Sequence, residues 1–180
     1  MTKYGKLAGK FLHLLSNGLV FAFTKDRRER RNLIEEGEEI WHTMDLKALN
    51  YVVNRFLKLG YITKELKGAK EIVIISPRGK SRALQYKLNA LVLPIRRKWD
   101  KVWRIVIFDV PESRKKIRDA LRRKLKEAGF LEFQKSVFIY PFPCEDEVNF
   151  IINFFEVSEC VYYLESPITP DASFRKHFKL

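Results

Sequence analysis

The sequence predicts an α+β protein in two parts, an N-terminal winged helix-turn-helix followed by a ferredoxin-like βαββαβ domain. Three observations lead there. Apolar residues recur at helical spacing over Lys3–Leu15 and Leu46–Leu59, and two β-rich runs with a lysine-bearing tip follow. The order strand, helix, strand, strand, helix, strand then reads from Trp103 to Leu164. Charge is also divided unevenly. Residues 1–98 carry 21 Lys and Arg against 9 Asp and Glu, and residues 99–180 carry 14 against 13. A strongly basic half beside a near-neutral half points to one module facing a polyanion and one with a different task.

A chain of 180 residues has room for two small domains. The expected division is 1–92, a linker over 93–100 marked by Pro94 and a basic cluster, and 101–180. In the first part, Leu7, Phe11, Leu14 and Leu15 share one face of the opening helix. Ser16-Asn17-Gly18 ends that helix, or the helix runs on through Phe23; the residues leave both open. Arg27–Arg31 leads into a second helix ending near Trp41, weakly specified because it contains Gly37. Asp45 is a good N-cap for the third helix, Leu46–Leu59, and Gly60 a good stop. Leu46, Leu49, Val53, Phe56 and Leu57 make its buried stripe. Lys47, Asn50, Tyr51, Asn54, Arg55 and Lys58 fall mostly off it.

The strands Tyr61–Leu66 and Glu71–Ile75 follow, joined by Lys67-Gly68-Ala69-Lys70. Pro77-Arg78-Gly79-Lys80 turns the chain into a last helix, Ser81–Leu91. Three helices and a basic hairpin form the order of a winged helix, and the chemistry suits double-stranded DNA. Asn50, Asn54 and Arg55 can reach base edges in the major groove. Lys64, Lys67 and Lys70 on the wing can neutralise phosphates.

In the second part, Trp103–Phe108 is a strand, apolar but for Arg104, near the sheet centre, ending at a lone acid, Asp109, before Pro111. Ser113 is the expected cap of a helix over Arg114–Ala128, which Gly129 ends. Ile117, Ala120, Leu121, Leu125 and Ala128 form its core face, and the arginines and lysines between them line a nucleic-acid path or a solvated face. Strands Phe130–Phe133 and Val137–Tyr140, helix Glu145–Phe155 and strand Cys160–Leu164 complete the order. Gln134 and Ser136 are expected to satisfy buried backbone groups. Trp99 and Trp103 are expected to pack the linker on this module, and Phe174 and Phe178 to cover the sheet or a partner chain.

Several classes are disfavoured. No apolar run approaches the roughly 20 residues of a membrane helix. The N-terminus lacks the pattern of a secretory signal, so a cytoplasmic protein with reduced cysteines is expected. Two cysteines, Cys144 and Cys160, and three scattered histidines do not make a zinc pattern.

The motifs Phe108-Asp109-Val110-Pro111-Glu112, Leu121-Arg122-Arg123-Lys124-Leu125 and Gln134-Lys135-Ser136-Val137-Phe138 resemble the central module of the PaaX-like transcriptional repressors. That module is in turn similar to the CRISPR-associated adaptation endonuclease Cas2. The first half, through ISPRGKSRALQYKLNAL, resembles the winged-helix half of PaaX-like proteins. The resemblance implies a homodimer, joined through the ferredoxin-like modules, that presents two winged helices to DNA. Full repressors carry a further C-terminal domain associated with an acyl-CoA effector, and this sequence is expected to lack it.

The resemblance also gives Asp109 a candidate catalytic and metal-binding role. In the nuclease, the matching aspartate meets its twin across the dimer axis and the pair holds a divalent metal. Magnesium accepts oxygen ligands and keeps several waters, so the cofactor would be Mg²⁺ and the reaction phosphodiester hydrolysis. Against this, no histidine lies nearby as a general base, and Asp109 can instead accept backbone N–H bonds in the turn before Ser113. Glu112 is a weaker second ligand. The expected function is a dimeric DNA-binding transcriptional regulator. The alternatives are a metal-dependent endonuclease and a non-catalytic adaptor that binds a CRISPR integrase partner.

Overall fold

The computed structural model describes residues 3–16, 21–23, 46–67 and 70–180. The chain divides into two compact units, Met1–Asn89 and Ala90–Leu180. No helix among the described residues is long and apolar enough to cross a membrane.

In the first unit, α1 (Lys3–Ser16) packs Phe11, Leu12 and Leu15 against Leu49, Val52, Val53 and Phe56 of α2 (Leu46–Lys58). A three-stranded antiparallel sheet follows, in the order β1 (Phe21–Phe23), β3 (Lys70–Ile75), β2 (Ile62–Lys67). Ile62 and Val73 close the core from the sheet. The strand at Phe21–Phe23 corrects one sequence option: α1 does not continue through Phe23, because those residues pair with Glu71–Val73. The expected second helix, Arg27 to Trp41, and the Asp45 cap lie outside the described residues.

The end of α2 shows why Gly60 stops it. Gly60 has φ 68°, a left-handed conformation that glycine enters without a Cβ clash. The Tyr61 N–H then reaches back to the Phe56 carbonyl at 2.9 Å and the Gly60 N–H to Leu57 at 3.1 Å. The Phe56 and Tyr61 rings meet edge-on at 5.5 Å, the apolar contact that accompanies this closure.

α3 starts earlier than its composition suggests, spanning Pro77–Ala90 rather than Ser81–Leu91. Ser76 caps it: its hydroxyl accepts the Gly79 N–H at 3.0 Å and donates to the Gly60 carbonyl at 2.6 Å. Pro77 therefore sits at the first helical position, where its missing N–H is no loss.

The second unit holds an antiparallel sheet in the order β5 (Leu131–Gln134), β6 (Val137–Tyr140), β4 (Trp103–Phe108), β7 (Val161–Ser166). Helices α4 (Lys115–Ala128) and α5 (Glu145–Phe155) connect β4 to β5 and β6 to β7. This order and connectivity are those of a ferredoxin-like sheet. Gly129, φ 115°, ends α4 with the same closure as Gly60, the Phe130 N–H reaching Leu125 at 3.0 Å. Ser113 does not cap α4. A short 3₁₀ turn at Glu112–Arg114 precedes the helix, Arg114 takes the cap position, and no side chain bonds there.

Successive β4 side chains alternate between faces. Val106 and Phe108 are fully buried beneath the two helices, together with Phe138, Leu121, Leu125, Val148 and Ile151. Trp103 and Ile105 face the other way, where they meet Ile139, Leu131 and the C-terminal helix α6 (Ala172–Phe178). Trp103 is 0 % exposed and contacts Phe174 at 5.6 Å and Phe178 at 6.0 Å. Phe174 and Phe178 thus cover the chain's own sheet. The 93–100 segment is docked too: Tyr140 donates to the Pro94 carbonyl at 3.1 Å, and the Trp99 ring lies 4.7 Å from Trp103.

Candidate nucleic-acid interface

The exposed face of α2 follows from its periodicity. Leu49, Val52, Val53 and Phe56 occupy a narrow arc and are buried. Lys47, Asn50, Tyr51, Asn54, Arg55 and Lys58 fall on the opposite arc, and all six are exposed. One helix face therefore presents three cations, two amides and a phenol. Both asparagines can bond base edges bidentately, and Arg55 can do so with guanine.

The hairpin follows directly. β2 and β3 pair from Ile62↔Ile75 to Lys67↔Lys70, which places those two lysines opposite each other at the tip. Lys64 is exposed on β2.

Two cations passed over in the sequence join this surface. Arg78 lies with its guanidinium 5.5 Å from the Tyr61 ring, and Lys80 is exposed one turn into α3. Cations in the first turn oppose the helix dipole, so they do nothing for the helix itself. That opposition was the available signal. The nearness of Arg78 to the end of α2 comes only from the fold.

Asp109 ends β4 exposed, with its backbone N–H bonded to the Cys160 carbonyl at 2.9 Å. No described residue donates to its carboxylate, so the expected turn-capping role is not what the chain shows. Glu112 is committed elsewhere: Arg118 holds it at 2.7 Å and Lys115 at 3.7 Å. The Arg118 hydrogen bond, reinforced by its charge, lowers the Glu112 pKa. Among the described residues no three His, Cys, Asp or Glu cluster to hold a metal ion. One chain thus offers a single carboxylate, which does not fit Mg²⁺ binding without a further oxygen ligand.

Most of the cationic helix α4 is engaged within the unit. Arg114 donates to the Phe155 and Glu156 carbonyls at the end of α5, and Arg118 to Glu112 and Val110. Arg122 and Lys126 both hold Glu132, whose pKa they lower. Lys124 is buried, and desolvation lowers its pKa despite Glu127 at 4.0 Å. Gln134 is exposed, and it is the Ser136 backbone carbonyl, not a side chain, that takes the Phe108 N–H at 3.1 Å. Those two side chains do not satisfy buried backbone groups. Cys144 and Cys160 are both unbridged. Burial pushes the Cys144 thiol up to about 12, which leaves it unreactive near neutral pH.

Arg104, buried on β4, is the electrostatic hub of the unit. It binds both Asp100 oxygens at 2.7 Å, Glu165 at 3.1 Å and the Pro141 carbonyl at 3.1 Å. Its hydrogen bonds hold Asp100 down at about 2. This cluster positions the entry to β4 and is satisfied internally.

Residues 96–176 match the family model described as the PaaX protein central Cas2-like domain. The match spans most of the second unit and supports a PaaX-like family. No curated protein matches the chain.

Proposed function

We propose that this protein is a dimeric DNA-binding transcriptional regulator of PaaX-like type, acting in the cytoplasm. The first unit reads as a winged helix-turn-helix, with α2 as recognition helix and the β2–β3 hairpin as wing. The observation that carries this is the α2 face, where six polar and basic side chains lie opposite a fully apolar arc. Asn50, Asn54 and Arg55 read base edges, with Lys47, Tyr51 and Lys58 beside them. Lys64, Lys67 and Lys70 take backbone phosphates.

The second unit dimerises through the part of its sheet that α6 leaves open. Tyr162 is 62 % and Leu164 46 % exposed, and their cross-strand partners Ile107 and Ile105 continue the apolar rows. A second copy would cover that surface, and its twofold axis would impose an inverted repeat on the operator. Selection from random duplexes tests this reading. An enriched inverted repeat, with discrimination lost in Asn54→Ala and Arg55→Ala, supports it. Absence of any enriched site refutes it.

A second reading rests on the exposed Asp109 carboxylate, which no described residue pairs with: a metal-dependent endonuclease or an adaptation-complex subunit with an integrase partner. Its oxygen ligand set would be completed by the Asp109 of a second copy. Magnesium-dependent cleavage of labelled DNA or RNA that vanishes in Asp109→Ala would establish it over the first.

A further inference from the structure

We infer that the second unit carries its own phosphate-binding surface for duplex DNA, formed where Arg96, Arg97, Lys98 and Lys101 meet Lys176 and Lys179 of the C-terminal helix. This rests on the DNA-binding reading above and extends it to the second unit, where Ala90–Leu180 carries 17 Lys and Arg against 13 Asp and Glu.

The fold brings the two cation runs together. The Arg175 guanidinium lies 5.3 Å from the Trp99 ring centroid, and Trp99 is held against Trp103 and bonded to the Val102 carbonyl at 3.1 Å. That stacking places segment 96–101 beside α6. All six cations are exposed, and no described residue pairs with any of them. The two acids nearest in sequence are already taken. Arg104 holds Asp100, and Arg175 holds Asp171 at 2.9 Å. On α4, by contrast, Arg118, Arg122 and Lys126 are matched by Glu112 and Glu132. Six positive charges that no described residue matches repel one another, and a polyanion is what relieves that repulsion.

The backbone gives an independent sign. Three non-glycine residues among those described adopt positive φ: Lys101 at 66°, Lys179 at 55° and Glu156 at 53°. Glycine enters that region without strain and a lysine does not. Lys179 stands directly after a helix, where glycine is the favoured residue. Two of the three strained positions thus keep a lysine inside this patch. A side chain retained against the backbone's preference points to use of the side chain.

The test measures binding of the full chain to a labelled duplex about three helical turns long, over a salt series. In Arg96→Gln/Arg97→Gln/Lys98→Gln/Lys176→Gln, the log–log salt slope should shrink by about 2 or more, at roughly 0.9 for each phosphate no longer neutralised. Lys101→Gly and Lys179→Gly should melt no lower than wild type yet show a smaller slope. Glu156→Gly should share the melting behaviour and keep the slope. A wild-type slope in the fourfold and lysine variants overturns the inference. If those variants lose binding to phosphatidylserine vesicles and keep duplex binding, the surface is a membrane-binding one and the inference is again wrong. A slope reduced only by Lys67→Ala/Lys70→Ala would leave the DNA-binding reading intact and remove this patch from it. A wild-type chain that grips no duplex at low salt would end both.

Discussion

A Cβ at Gly79 would lie 2.0 Å from the Tyr61 carbonyl oxygen, and this approach fastens the start of α3 to the turn that ends α2. The obstacle is backbone, which cannot swing away. Gly79→Ala should therefore push α3 off Ser76 and Tyr61, destabilising the first unit by about 2–3 kcal/mol. Urea unfolding followed by circular dichroism measures it. A change below about 0.5 kcal/mol would show that the turn shifts freely.

The Asp100–Arg104 pair makes the second unit sensitive to acid. Asp100 has its pKa depressed from 3.8 to about 2, chiefly by the Arg104 hydrogen bond. The stabilisation is present above the unfolded value and is lost as pH falls from about 4 toward 2. Glu112, Glu132 and Asp171 are shifted in the same direction. Denaturant midpoints should fall over that window, and less steeply in Asp100→Asn. Since Asp100 is half exposed, its share is below about 1 kcal/mol. An identical pH profile in the variant would contradict the assignment.

Phe174 anchors α6. It is buried, with its ring 5.6 Å from Trp103 and 5.3 Å from Phe133. Phe174→Ala should destabilise the second unit by about 3–4 kcal/mol and release α6 to fast amide exchange. Calorimetry and hydrogen exchange report the two effects separately.

The open sheet face should set the oligomeric state. Tyr162→Lys/Leu164→Lys places charge on exposed positions, so monomer stability should change by less than about 0.5 kcal/mol. Dimer dissociation should become at least tenfold easier by sedimentation. Unchanged association would mean that copies meet through some other surface.

Much of this fold was legible because periodicity speaks plainly where one face is buried. β4 reads as an apolar run because the sheet centre is covered on both faces, by α4 and α5 on one and in part by α6 on the other. α5 matches its predicted bounds because Val148, Ile151 and Ile152 repeat at helical spacing. The failures are also physical. β1 is three residues long, and a strand that short is fixed by its partner rather than its own composition. The start of α3 was hidden because Pro77 and Gly79 read as breakers, although Pro follows a serine cap and Gly meets a carbonyl. Val52 was missed on the buried arc of α2 because it borders the exposed residues. Arg104 looked like one more cation in a basic protein; its partners lie up to 61 residues away in sequence. The α2 face was readable from spacing alone, whereas the nearness of Arg78 to it depends on Tyr61 and Ser76.

The grip on DNA is tested most directly by binding of the purified chain to selected and random duplexes across a salt series, with wing and recognition-helix variants compared. Lys67→Ala/Lys70→Ala should weaken binding to every duplex and flatten the salt slope by up to about 2, while Asn54→Ala or Arg55→Ala should narrow the gap between selected and random sites. Wing variants that change sequence preference and leave the salt slope untouched would contradict these roles, and a monomeric wild-type chain with no affinity for any duplex at low ionic strength would contradict the account as a whole.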